Sequence, residues 1–181
     1  WDIKGKLADM PLYQLLGGAR QSIQTDLTIS VNPVDEMVAD SLEAVAQGFG
    51  ILKIKVGKEG LADVERVAAI RQAVGPDIKL RVDANQGWTA QQSVSIIRAM
   101  EDRGLDIELV EQPVPAHDLA GLKQVTQAVD TPILADESVF SHYDAQRLIQ
   151  EGAADLINIK LMKTGGIWNA LKICRMAAEH G

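Results

Sequence analysis

One pattern recurs six times between Ile23 and the end of this 181-residue chain: a short apolar, β-branched run, a polar turn, then an amphipathic stretch. The runs predict strands at Gln24–Val31, Leu52–Val56, Lys79–Asp83, Ile107–Glu111, Pro132–Asp136 and Leu156–Leu161. The stretches between them, near 34–47, 61–74, 90–103, 119–129 and 143–151, and a last one near 167–179, have helical spacing. Asp118 and Ser141 stand where helices start, and Gly48, Gly75, Gly104 and Gly152 where they end. The repeat length, roughly 24 to 28 residues, is that of one βα unit. Strict alternation demands a parallel sheet, either open and doubly wound or closed as a barrel. A doubly wound sheet would place a glycine-rich loop after its first strand; Ser30-Val31-Asn32-Pro33 stands there instead.

The polar residues decide for the barrel. In Leu52-Lys53-Ile54-Lys55-Val56-Gly57 two lysines share one strand face and the apolar residues the other. Two ammonium groups on an inward face have no place in a purely structural core. Asp83, Glu111, Asp136 and Lys160 stand at the C-terminal ends of later strands. Ionisable residues at strand ends are the mark of an α/β barrel with its site on the C-terminal face. The expected fold is therefore a (β/α)8, TIM-type barrel of which six βα units are present, leaving the first and sixth strands as edges.

Adjacent strands lie about 4.8 Å apart, so Asp83, Glu111 and Asp136 would crowd together and repel. A divalent cation removes the conflict. With oxygen ligands alone it should be a hard ion, Mg²⁺ first and Mn²⁺ as the alternative. Lys55 and Lys160 would flank it. Such a site suits removal of the proton next to a carboxylate: positive charge steadies the enolate, one lysine takes the proton and an opposed lysine returns one. Lys53 is expected to lower the pKa of Lys55 and to steady the enolate.

Composition narrows the partners. The net charge of −7 argues against nucleic acid and anionic membrane, and 4% aromatic residues offer no base-stacking platform. No segment is apolar and long enough to span a bilayer. The single cysteine, Cys174, excludes an internal disulfide, fits a cytoplasmic setting, and is expected in the core. The three histidines show no ligand spacing. The chain starts at Trp1 rather than Met and stops just after a helical pattern, which suggests part of a longer protein.

Lys53-Ile54-Lys55, Asp83-Ala84-Asn85, Val110-Glu111-Gln112-Pro113, Ala135-Asp136-Glu137-Ser138 and Asn158-Ile159-Lys160 resemble the motif set of the enolase superfamily, muconate lactonizing enzyme subgroup. Asn85-Gln86-Gly87-Trp88 and Lys160-Leu161-Met162-Lys163-Thr164-Gly165-Gly166 are most similar to its dipeptide epimerases. The resemblance covers essentially the whole chain. It implies Mg²⁺ on Asp83, Glu111 and Asp136, acid/base roles for Lys55 and Lys160, and an assisting role for Lys53. It implies a small carboxylate substrate, a dipeptide of the Ala-Glu type, and a homo-oligomer. It also implies two domains: residues 1–20 as the tail of a capping domain and linker, and 21–181 as the partial barrel. Muconate cycloisomerase, o-succinylbenzoate synthase and N-acylamino acid racemase share these motifs.

Other readings remain open at this level. Lys160 could serve a Schiff-base aldolase, and the piece alone could be inactive. Thr28 and Ser30 could touch substrate or simply fill the barrel end. Lys163, in the loop after the sixth strand, could bind substrate or be solvated. Asn85 could orient Asp83 or only start a turn, and Glu137 should point away from Asp136.

Overall fold

The computed structural model describes residues 1–19 and 22–180. The expected boundary between residues 20 and 21 falls outside the described residues. Before it lie two short helices, α1 (Asp2–Leu7) and α2 (Leu12–Leu15), where the sequence suggested one helix and a turn. Then the βα units follow: β1 (Leu27–Ile29), α3 (Val34–Ala46), β2 (Ile51–Lys55), α4 (Ala62–Val74), β3 (Lys79–Asp83), α5 (Ala90–Asp102), β4 (Ile107–Glu111), α6 (Leu119–Ala128), β5 (Ile133–Ala135), α7 (His142–Glu151), β6 (Leu156–Ile157), α8 (Leu161–Thr164) and α9 (Ile167–His180). The six strands pair in parallel in sequential order, β1-β2-β3-β4-β5-β6. A doubly wound sheet reverses its strand order at a switch point; an uninterrupted order belongs to a barrel wall.

The outer strand residues Leu52, Ile54, Leu80, Val82, Val110 and Ile133 have no exposure at all and pack with Met37, Val67, Ile70, Leu122 and Val125 of the surrounding helices. The helix starts follow the caps read from sequence. Asp118 accepts from Gly121 N at the head of α6, and Ser141 forms a capping box with Asp144 at the head of α7. Thr89 and Gln92 form a second box on α5.

Four expectations are corrected. β1 is shorter than Gln24–Val31, since it has β2 as a partner on one side only among the described residues. β6 stops at Ile157 rather than Leu161, so Lys160 caps the short helix α8 instead of ending a strand. The reason lies one strand away: Gln112 Oε1 takes the backbone N–H groups of Asp136 and Ser138, which turns β5 off the ladder beyond Ala135. Lys163 accordingly sits in a helix, not a loop. Cys174 is exposed: α9 buries Ala170 and Ile173, and the next residue is turned off that stripe.

The loops that follow β2 and β3 are pressed together at the end of the sheet where the carboxylates lie. Gly57 has φ +97°, and a Cβ there would stand 2.2 Å from Ala84 O; one on Gly87 would stand 2.2 Å from Gly57 O. Buried Asp63 ties the same point down, accepting from Gly57 N (3.0 Å) and Trp88 Nε1 (3.3 Å) while paired with Arg66 (2.8 Å). Because both the left-handed conformation and the backbone contact exclude a side chain, Gly57→Ala should lower unfolding free energy by at least ~2 kcal/mol, read from urea denaturation. A loss within experimental error would show that the loops can separate freely.

Candidate active site

β3 and β4 pair with Asp83 opposite Glu111, and β2 pairs with Lys55 opposite Asp83. In-register neighbours on a parallel sheet point to one side. Asp83, Glu111 and Asp136 are buried to 1, 2 and 1% exposure. Four lysines meet them. Lys53 Nζ lies 3.3 Å from Glu111 Oε2 and 3.5 Å from Asp83 Oδ2. Lys55 donates to Asp83 Oδ2 (2.7 Å) and to Asn85 Oδ1. Lys160 and Lys163 both pair with Asp136. A cavity of about 380 Å³ opens beside Lys55, lined by Ser30, Gly57, Ala84 and Asn85 among others.

The charges are not equivalent. Burial, then the neighbouring Asp83 carboxylate, push the Glu111 carboxyl above its ordinary pKa, against the pull of Asn158 and Lys53. Burial also works upward on Asp136, but hydrogen bonds from Lys160 and Lys163 outweigh it and hold it below the usual range. Burial alone would lower Lys53; Glu111 and Asp83 outweigh that, and its pKa is raised. The same balance raises Lys160, with Asp136 as the partner that wins. Lys53 and Lys160 are thus both favoured in the ammonium form by the acids they touch.

Among the described residues no three His, Cys, Asp or Glu side chains converge tightly enough to hold an ion as they are arranged. Lys53 reaches between Asp83 and Glu111, and Asp136 is turned onto Lys160 and Lys163. The donor chemistry nevertheless fits a hard divalent cation: three buried carboxylates at neighbouring strand ends, with neither sulfur nor imidazole among them. The raised pKa of Glu111 records burial first and the neighbouring Asp83 charge second, and such an ion would offset both.

The remaining residues singled out from sequence divide. Thr28 is exposed and stands in register with Lys53, on the same face. Lys163 is a correction. Its side chain is only 6% exposed, and its ammonium is bonded to Asp136 O, Asp136 Oδ1 (2.5 Å) and Asn158 O (3.0 Å). It braces Asp136 and has no donor left for a substrate. Arg81 pairs with Asp26 (3.0 Å) and Glu108 (2.5 Å), lower on the strands than the acids. Asn85 does more than start a turn: its N–H donates to Asp83 Oδ1 (3.0 Å) and its amide donates to Glu137 Oε1 (3.0 Å).

Three contributors were not assigned a role from sequence. Asn158 Nδ2 donates to Glu111 Oε1 (3.0 Å). Gln112, fully buried, binds the Asp136 and Ser138 amides through Oε1 and Val114 O and Ser138 Oγ through Nε2. Asp63 clamps the loops beside Lys55. Asn158 and Gln112 lie inside the motifs Asn158-Ile159-Lys160 and Val110-Glu111-Gln112-Pro113.

Glu111 supplies a pH test. A carboxyl whose folded pKa is raised is penalised when ionised. The penalty is absent below the unfolded value of about 4.3 and complete above the folded one. With EDTA present, Glu111→Gln should therefore raise Tm at pH 7 and leave it unchanged near pH 3.5. A lower Tm at pH 7 would contradict the direction given for Glu111.

Comparison with known proteins agrees with this geometry. Residues 36–181 match the family described as enolase C-terminal domain-like. The chain is 54% identical over its whole length to the L-Ala-D/L-Glu epimerase of Clostridium acetobutylicum, covering 51% of it. It superimposes with a TM-score of 0.97 on a substrate-liganded complex of the L-Ala-D/L-Glu epimerase from Bacillus subtilis, at 56% identity, covering 99% of this chain and 50% of that one. A dipeptide epimerase from Cytophaga hutchinsonii, complexed with Mg and the dipeptide D-Ala-L-Val, gives a TM-score of 0.95 at 42% identity over 98% of this chain and 48% of that one. The chain spans about half the length of the curated relatives it matches. With the motifs, the strand order and the family match in agreement, this chain belongs to the enolase C-terminal domain-like family.

Proposed function

We propose that the protein carrying this chain is a Mg²⁺-dependent isomerase that epimerises a dipeptide by removing the proton next to a carboxylate. The observation that carries the reading is a pair of lysines, Lys55 on β2 and Lys160 just past β6, on either side of the buried Asp83, Glu111 and Asp136. β2 and β6 stand four places apart in the sheet order, which gives two bases access to opposite faces of one carbon.

Asp83, Glu111 and Asp136 would hold the divalent cation. When bound, it supplies the positive charge that steadies the substrate carboxylate as its α-carbon loses a proton. Lys55 takes the α-proton of one epimer. Lys160, held protonated by Asp136, gives a proton to the other face. For the opposite epimer the two exchange roles, as microscopic reversibility requires. Lys53 stays charged beside Glu111 and Asp83 and adds its field to the developing enolate. Thr28, next to Lys53, contacts the substrate. The dipeptide assignment and Mg²⁺ draw on the relatives at 42 to 56% identity. A cytoplasmic setting is supported by the single cysteine, and no helix among the described residues is long and apolar enough to cross a membrane. A homo-oligomer is part of the same reading.

In D₂O with Mg²⁺ the full-length protein should place deuterium at the α-carbon of its dipeptide, and EDTA should stop this. Lys55→Ala and Lys160→Ala should each slow epimerisation by about 10²–10⁴-fold. Retained epimerisation in either variant, or exchange indifferent to EDTA, would overturn the reading.

A further inference from the structure

A general base must hold its lone pair on the proton it removes, and a lysine amine on a flexible four-carbon stem does not do this unaided. The two candidate bases differ in how they are held. Lys160 is 43% exposed and its ammonium has one hydrogen-bond partner among the described residues, Asp136. Lys55 has two, Asp83 Oδ2 and Asn85 Oδ1. A neutral amine carries two N–H bonds and one lone pair. With both hydrogens taken by Asp83 and Asn85, the lone pair of Lys55 is left in the remaining direction.

The Asn85 amide can accept from Lys55 only with its oxygen toward the amine. Its other end settles which way it faces: Asn85 Nδ2 donates to Glu137 Oε1 at 3.0 Å. A carboxylate only accepts, so a flipped amide would set oxygen against oxygen there and N–H against the ammonium. The backbone of Asn85 is held in a left-handed conformation, φ +43°, with its own N–H on Asp83 Oδ1. Glu137 is fixed from the next loop, where Gln112 takes the N–H groups on either side of it, at Asp136 and Ser138. Its second oxygen, Oε2, is buried without a partner among the described residues, an arrangement that costs free energy.

We propose that Asn85 and Glu137 are positioning residues for Lys55, a hydrogen-bonded chain that aims one of the two bases and makes no hydrogen bond to the other among the described residues. The proposal rests on the two-base reading above. It makes the two halves of the proton transfer separable, since each epimer is deprotonated from its own face.

The test uses the full-length enzyme with Mg²⁺ in D₂O, given L-Ala-L-Glu and L-Ala-D-Glu separately, with deuterium at the glutamate α-carbon followed by NMR in the starting epimer. Wild type should exchange both. In Glu137→Ala, exchange into one epimer should fall about ten- to a hundredfold while the other stays within about twofold. Interconversion slows equally in both directions, because the equilibrium between the epimers is unchanged. Glu137→Gln keeps a carbonyl acceptor for Asn85 and should restore the lost exchange. Asn85→Ala, at an exposed position, should reproduce the asymmetry. Equal loss for both epimers in the alanine variants, or no loss, overturns the proposal while leaving the two-base reading intact. A wild type that exchanges neither epimer overturns that reading and the proposal with it.

Discussion

Three carboxylates at the ends of neighbouring strands repel one another, and each loses most of its hydration on being buried. Two unit charges 4 Å apart interact by about 4 kcal/mol at an effective dielectric constant of 20. Asp83, Glu111 and Asp136 are tolerated because Lys53, Lys55, Lys160 and Lys163 bring positive charge to them. The balance is uneven. Asp136, with two lysines, is held below its ordinary pKa, while Glu111, beside Asp83, is pushed above it. This unevenness is what a divalent cation would correct, and it leaves the same ammonium groups at hand for chemistry at a carbon next to a carboxylate.

Keeping such a cluster in order requires the loops around it to be rigid, and the chain devotes neutral polar groups to that task. Gln112 joins the end of β4 to the turn after β5 and so aims both Asp136 and Glu137. Asp63, Trp88 and the Gly57–Ala84–Gly87 contact lock the loops that follow Lys55 and Asp83. None of these groups takes part in the proposed proton transfer. They set the distances that the reactive groups require, and a displacement of about 1 Å can cost a hundredfold in rate.

What was legible in the sequence was whatever has a short period or a fixed charge. Alternating strands and helices, the caps at Asp118 and Ser141, and the acids and lysines at strand ends all follow from local pattern. What escaped depends on contacts between distant segments. β6 ends early beside a turn held by Gln112, the residue just past β4, and no inspection of Leu156 to Leu161 could show that. Lys163 looked like a surface or substrate lysine because its burial on Asp136 depends on how α8 folds back. Asn85 and Glu137 lie 52 residues apart and meet only when β3 and β5 stand in the same wall. The pull of Glu111 and Asp83 on the Lys53 ammonium likewise depends on strands that meet only in the fold.

The central claim is that Asp83, Glu111 and Asp136 together form one cation site. The most direct measurement is an anomalous difference map from crystals of the full-length protein grown with Mn²⁺. One peak should appear, in coordination contact with an oxygen from each of the three carboxylates and distant from the three histidines. No peak at millimolar Mn²⁺, or a peak that misses any of the three carboxylates, would contradict it.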